Sequence, residues 1–237
     1  MAYTHLAEVR NISGELCRAY VKHFPNNQPR ALFNECFGHA VMSAMGVPQP
    51  PCAVMLAPVF EADPPMIAWS FISCQPRPTF DGTPKEIYKI EDAVVLIKRI
   101  FSCPMLPLLI AADQLVMNGD RNLGNFVFTG KRAFVAIDHG EIMGGGAGTN
   151  DALLRPTGWA VSKLIEELVS ISAVPHSVKS ATLAAASVIE EQFFQHQIEI
   201  KNALNADTNL ETSIALDAVW WRCLDLAKWF ENRLQLI

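Results

Sequence analysis

At 237 residues, half of them hydrophobic and 18% charged, the chain can bury a sizeable core and is too apolar to be a disordered tail. A formal net charge of -5 leaves no electrostatic footprint for direct nucleic-acid binding, and no apolar run reaches the eighteen or so residues of a membrane span. The charged start Met1–Arg10 leads into no long apolar run, and the six cysteines (Cys17, Cys36, Cys52, Cys74, Cys103, Cys223) form no CxxC or Cys/His pattern. No signal peptide, disulfide framework or zinc site is therefore expected, and the expected location is the cytoplasm.

In chain order, Leu6 to Phe24 reads as a β-hairpin turning at Asn11-Ile12-Ser13-Gly14. Cys17, Ala19 and Val21 alternate there with Arg18, Tyr20 and Lys22 at a strand period. Ala31 to Ala44 reads as a helix with an apolar stripe of Phe33, Phe37, Ala40, Val41 and Ala44, stopped by Gly46 and Pro48. Ala53 to Phe60 and Met66 to Ile72 read as two strands around Asp63-Pro64-Pro65. The Pro- and Gly-rich stretch Gln75 to Thr83 marks a boundary. Helical patterns follow at Glu86 to Phe101, Pro107 to Met117, Trp159 to Ser172, Ser177 to Ala203 and Glu211 to Leu236. Asn125 to Ile142 is β-like, and the run Gly144 to Gly148 reads as a permissive loop. The expected fold class is α+β in two lobes: a small mixed lobe (1–74), a connection (75–83) and a mostly helical large lobe (84–237).

The chemistry concentrates in Asp113 to Gly140, DQLVMNGDRNLGNFVFTGKRAFVAIDHG. A two-residue turn at Gly130-Lys131 would set Thr129 opposite Arg132 and Asn125 opposite Ala136. Asn125 and Asp138 then become diagonal neighbours on one face, roughly 7–8 Å apart and close enough to share a hard cation. The same alternation predicts that Phe126, Phe128, Val135 and Ile137 pack on the other face. Phosphoryl transfer needs such a set: a divalent ion held by Asp and Asn oxygens, and a separate carboxylate to orient and deprotonate the acceptor hydroxyl. Protein kinases set the base Asp five residues before the metal-binding Asn, with a DFG-type Asp one hairpin later. Asp120, Asn125 and Asp138-His139-Gly140 keep that spacing and order. There is no GxGxxG; Ser13 and Gly14 are the candidate phosphate donors, as backbone amides of a turn.

The NGDRNLGN segment, its hairpin and the DHG triplet resemble the catalytic and metal-binding segments of HipA-like kinases, whose fold is related to that of phosphatidylinositol kinases. The resemblance implies Asp120 as base, Asn125 and Asp138 as Mg2+ ligands, and Arg121 as a holder of the loop or of a phosphate. Asn122 stands where the family usually has His. Lys22 resembles the nucleotide-phosphate lysine of a small-lobe strand. Asn34-Glu35 with Gly46-Val47-Pro48 is similar to the family's NE…GxP helix, which would pair Glu35 with Lys22. Met66 to Ile72 would be the strand that meets adenine. The resemblance covers most of residues 6–142 and, beside full toxin kinases, suggests the kinase core alone. It implies ATP and Mg2+ as cofactors, a Ser or Thr of a protein as acceptor, and a cognate antitoxin or regulator as a further partner.

Other readings use the same residues. Asp-Arg beside Asn and Gly also makes an ordinary turn, and Lys22 and Glu35 also fit a surface lysine and a plain helix glutamate. A nucleotide-binding or inactive pseudokinase acting by contact, and a small-molecule or lipid kinase, share the motif. The absence of a basic cluster disfavours a lipid surface. Asp113, one turn before Met117, is expected to brace the loop from behind. His139 is expected to make local hydrogen bonds, and Trp220, Trp221 and Trp229 to lie in the core.

Overall fold

A computed structural model describes residues 3–10, 13–24, 29–59, 66–75, 90–145, 163–171, 173–204 and 210–235. Four antiparallel strands form one sheet: β1 (Tyr3–Arg10), β2 (Leu16–Phe24), β3 (Cys52–Val59) and β4 (Met66–Cys74), in the order β1-β2-β4-β3. The strand period of β2 is realised: Ala19 and Val21 are buried against Ile72, while Arg18 and Tyr20 face solvent. Lys22 is paired with Phe71 and shares its face of the sheet, and the Phe71 ring meets His39 of the following helix edge-on at 6.1 Å.

That helix, α1 (Pro29–Ala44), ends as the sequence predicts. Gly46 adopts φ +77, its N–H donates to the Ser43 carbonyl (3.0 Å), and the Val47 N–H donates to the Met42 carbonyl (2.9 Å). This Schellman cap needs a left-handed residue, which glycine supplies at least cost.

Helices α2 (Ile90–Phe101) and α3 (Leu106–Leu115) follow, then a 3-10 turn (Leu123–Asn125) and the hairpin β5 (Phe126–Gly130) and β6 (Ala133–Ala136). Eight of the ten residues of α3 are buried, so it is a central helix, apolar on nearly every side. The C-terminal part consists of α4 (Lys163–Ile171), α5 (His176–Ala203), α6 (Leu210–Cys223) and α7 (Leu226–Gln235). The single long helix expected from Glu211 to Leu236 is thus two. The chain turns at Leu224 and Asp225, and the freed N–H of Ala227 donates to Glu190 Oε1 of α5 (2.7 Å). A side chain on a neighbouring helix caps the second segment, which periodicity within the segment cannot reveal.

Phe37, Val41 and Met42 of α1 belong to the same continuous core as α3, the β5–β6 hairpin and the C-terminal helices. The helix assigned to the small lobe therefore packs against the helical elements as well as against the sheet, where His39 meets Phe71. The boundary expected at 75–83 lies outside the described residues except for Gln75, whose N–H donates to the Arg18 carbonyl (2.7 Å). The Asp63-Pro64-Pro65 turn, the starts of the patterns at Glu86 and Trp159, and Gly146 to Gly148 also lie outside them. Among the described residues no single helix is long and apolar enough to cross a membrane.

The β5–β6 register differs from the expected one. Phe126 pairs with Ala136, Phe128 with Phe134 and Gly130 with Ala133, with an irregularity at Thr129 between Phe128 and Gly130. The turn is Lys131-Arg132, and the buried set is Phe126, Phe128, Phe134 and Ala136, in place of Val135 and Ile137. Arg99 of α2 fixes this arrangement: its guanidinium lies 3.8 Å above the Phe128 ring and donates to the carbonyls of Gly130 (2.7 Å) and Lys131 (3.2 Å).

Candidate active site

One face of α1 meets the segment after β6. Asn34 Nδ2 donates to the carbonyls of Gly140 (2.9 Å) and Ile142 (3.0 Å), and Glu35 Oε2 accepts from the His139 N–H (3.0 Å). Gly38 lies one turn further along, and a Cβ there would come within 2.5 Å of His139 Cβ. Glycine is normally a cost of about 1 kcal/mol inside a helix; here it admits the His139 side chain to the helix surface. Residues 34, 35 and 38 share this face because i, i+3 and i+4 positions align on a helix.

From the opposite side β2 delivers Lys22, whose Nζ is hydrogen-bonded to Glu35 Oε1 and lies 2.9 Å from Asp138 Oδ1. Glu35 is 2% exposed and Asp138 46%, so the ammonium bridges a sealed carboxylate and an open one. Burial works to lower the Lys22 pKa, yet Glu35 and Asp138 outweigh it and hold the pKa above 10.5. For Asp138 burial pushes upward, but Lys22 and Arg121 keep the carboxyl below its ordinary value of 3.8. Glu35 goes the other way: burial raises it in spite of Lys22.

Asp138 has φ +67, a left-handed conformation that Asp tolerates better than most residues. Asn125 closes the 3-10 turn ahead of β5. Neither residue sits in the regular ladder, so the diagonal-neighbour geometry expected for them does not apply. What links them is the backbone bond from Ile137 N–H to the Asn125 carbonyl (3.1 Å). Asn125 Nδ2 donates to the Asp120 carbonyl (3.2 Å), a bond that does not use its side-chain oxygen.

The Asp120 backbone is held three ways. Its N–H donates to Asn118 Oδ1 (3.2 Å), and its carbonyl accepts from Asn122 (3.1 Å) and Asn125. Asn122 also caps the turn through the Gly124 N–H (2.8 Å). The Asp120 side chain is 47% exposed and meets Lys163 Nζ at 2.9 Å. It borders an open cleft lined by Met117, Gly119, Glu141, Gly144 and Gly145.

Beneath the loop, Arg121 and Asp113 are both fully buried and joined by two-pronged hydrogen bonds, Nε to Oδ2 at 2.9 Å and Nη2 to Oδ1 at 3.1 Å. Arg121 Nη1 also donates to the Ile137 carbonyl, and Nη2 to His139 Nδ1 (2.9 Å). The imidazole must then carry its proton on Nε2, which donates to Gln49 Oε1 (2.6 Å). Burial and the Arg121 charge hold its pKa well below 6.5, so the ring stays neutral. Arg121 thus holds the loop and has no hand free for a phosphate, and Asp113 is the brace expected behind it.

The structure brings Lys22, Glu35 and Asp138 into contact and ties Asn125 to Asp120. It does not bring Ser13 and Gly14 to this group. They lie exposed at the tip of the β1–β2 hairpin, where Gly14 has φ +85 and its carbonyl accepts from Arg10. The six-residue span of β2 from Leu16 to Lys22 covers on the order of 20 Å, so they stand well along the strand from Lys22. Sequence reasoning missed Lys163 and Glu167. The second accepts from the Leu123 N–H (3.1 Å), and both approach the loop from a helix more than forty residues downstream.

No protein-family model matches the sequence, and no curated protein is significantly similar to it. Several dozen solved chains match in the structural comparison, two of them as follows. A chain of the Shewanella oneidensis MR-1 toxin–antitoxin complex of HipA, HipB and operator DNA superimposes with a TM-score of 0.47 at 10% identity. It covers 96% of this chain and 66% of that one, too loose a likeness to bear on function. The Helicobacter pylori proinflammatory kinase CtkA superimposes with a TM-score of 0.55 at 15% identity, over 100% of this chain and 94% of that one. The chain has an α+β fold like that of a known kinase.

Proposed function

We propose that the chain is an ATP- and Mg2+-dependent phosphotransferase of the HipA-like kind, a two-lobed cytoplasmic kinase whose acceptor is a Ser or Thr hydroxyl of a protein. The observation that carries this reading is Lys22 bridging Glu35 and Asp138, three residues drawn from a strand, a helix and a loop. No folding need explains an exposed carboxylate held there. The kinase-like fold supports it independently.

In this reading Lys22, held forward by Glu35, meets the phosphates of ATP. The Asn125 oxygen and the Asp138 carboxylate are hard donors fit to hold Mg2+, which when bound would neutralise charge on the phosphate oxygens. The acceptor enters the cleft beside Asp120. Asp120 takes the hydroxyl proton, the acceptor oxygen bonds to the γ-phosphorus, and the bond to the β-phosphate oxygen breaks with its electron pair leaving on ADP. Arg121, Asp113 and His139 keep the backbone of Asp138 and Asp120 fixed through the step. A cognate antitoxin or regulator is the further partner that the family resemblance suggests.

Calorimetry with ATP, with and without Mg2+, on wild type and Asp138→Ala tests the nucleotide site. Binding that requires Mg2+ and is lost in the variant is expected. Asp120→Ala should keep that binding and lose turnover by a factor of about 10^2–10^4. Full activity in Asp120→Ala would remove the base from this scheme. The remoteness of Ser13 and Gly14 from Lys22 favours a second reading, a pseudokinase that acts by contact. No Mg2+-dependent binding in either protein would select it.

A further inference from the structure

The Asp120 backbone is locked by Asn118, Asn122 and Asn125, but its carboxylate has a different support. Among the described residues its only hydrogen-bond partner is Lys163 Nζ, 2.9 Å from Oδ1. The second oxygen accepts nothing there. Side-chain rotation about a fixed backbone would sweep the carboxylate across the cleft mouth, so whatever holds Oδ1 decides where the free oxygen points.

The partner helix is itself fastened to the loop. Glu167 lies four residues after Lys163 on α4, on the same helical face, and its carboxylate accepts from the Leu123 N–H at 3.1 Å. One face of α4 therefore makes two polar contacts with the turn carrying Asp120, one to its side chain and one to its backbone. Stability does not account for the Lys163–Asp120 pair. With 42% and 47% of the side chains exposed, such a pair contributes on the order of 0–1 kcal/mol.

We propose that Lys163 is a positioning residue for phosphoryl transfer. It holds Oδ1 of Asp120 so that the opposite oxygen faces the acceptor hydroxyl, with Glu167 fixing the helix that presents it. This rests on the phosphotransferase reading and extends it to a residue outside the motif. Lys163 takes no proton and forms no bond in the step; it restricts the orientation of the group that does, and orientation is worth orders of magnitude in rate.

The test is steady-state kinetics on wild type, Lys163→Met and Lys163→Arg, with Mg2+-ATP affinity measured by calorimetry on each. Lys163→Met should lower kcat by about 10–100-fold while KM for ATP and the calorimetric affinity stay within about twofold. Lys163→Arg should recover most of the loss, because a charged donor is restored. Glu167→Gln should fall between. A Lys163→Met enzyme with wild-type or raised kcat overturns the proposal, as does a loss that appears in ATP affinity or that Arg does not relieve. Those outcomes leave the phosphotransferase reading intact. A wild type that neither binds nor turns over Mg2+-ATP overturns both.

Discussion

Two charged groups lie back to back in this protein, and they are built on opposite terms. Asp113, Arg121 and His139 are at most 2% exposed and linked to one another, to backbone carbonyls and to Gln49. In front of them Asp138, Asp120 and Lys163 keep more than 40% of their side chains exposed, with a single charged partner apiece. A buried ion must be fully paired to be tolerated at all, so the rear group is a brace with no spare capacity. The front group has unused oxygens facing solvent and a cation on each flank, which suits an incoming anion and metal. The contrast separates residues that hold the site from residues that would act in it.

Removing Arg121 should produce the largest effect on folding. Arg121→Met leaves the Asp113 carboxylate buried and unpaired, with an expected loss of about 3–5 kcal/mol of stability, measured by urea unfolding. A loss under about 1 kcal/mol would mean that the rear group is not a sealed brace. Next comes pH. In the unfolded chain the His139 imidazole titrates near 6.5, whereas burial and Arg121 keep it neutral in the fold well below that value. Below pH 6.5 the unfolded state therefore binds the extra proton. Stability is complete above pH 6.5 and declines as pH falls, by up to about 1.4 kcal/mol per pH unit. Urea midpoints between pH 7 and 5.5, taken with a chelator present, should show this slope in wild type and a flatter one in His139→Gln. Equal slopes would remove His139 from the account. The smallest folding effect belongs to the front: Lys163→Met should cost under about 1 kcal/mol of stability, so a large loss there would erase the distinction.

The candidate site was partly legible because the chemistry proposed for it needs rare residue types in a fixed order. Asp120, Asn125 and Asp138 stand within one short segment, and α1 carries its stop signal at Gly46. The geometry joining Asn125 to Asp138 was not legible. It depended on a hairpin register that Arg99 of α2 sets, by covering Phe128 and taking the Gly130 carbonyl. Gly38 reads in sequence as a weak helix position, and only the approach of His139 gives it a reason.

The sequence by itself determined the strand period of β2, the cap of α1, the apolar helices of the core and the acidic and amide residues of the loop. These follow from local periodicity, backbone preference and residue chemistry, all of which act within a few positions. The tertiary structure alone decided that α1 packs against the helical elements, that Arg121 turns inward, and that Lys163 and Glu167 reach the loop from α4. Those contacts join segments tens of residues apart, and burial and charge pairing at that range are fixed only when the whole core closes.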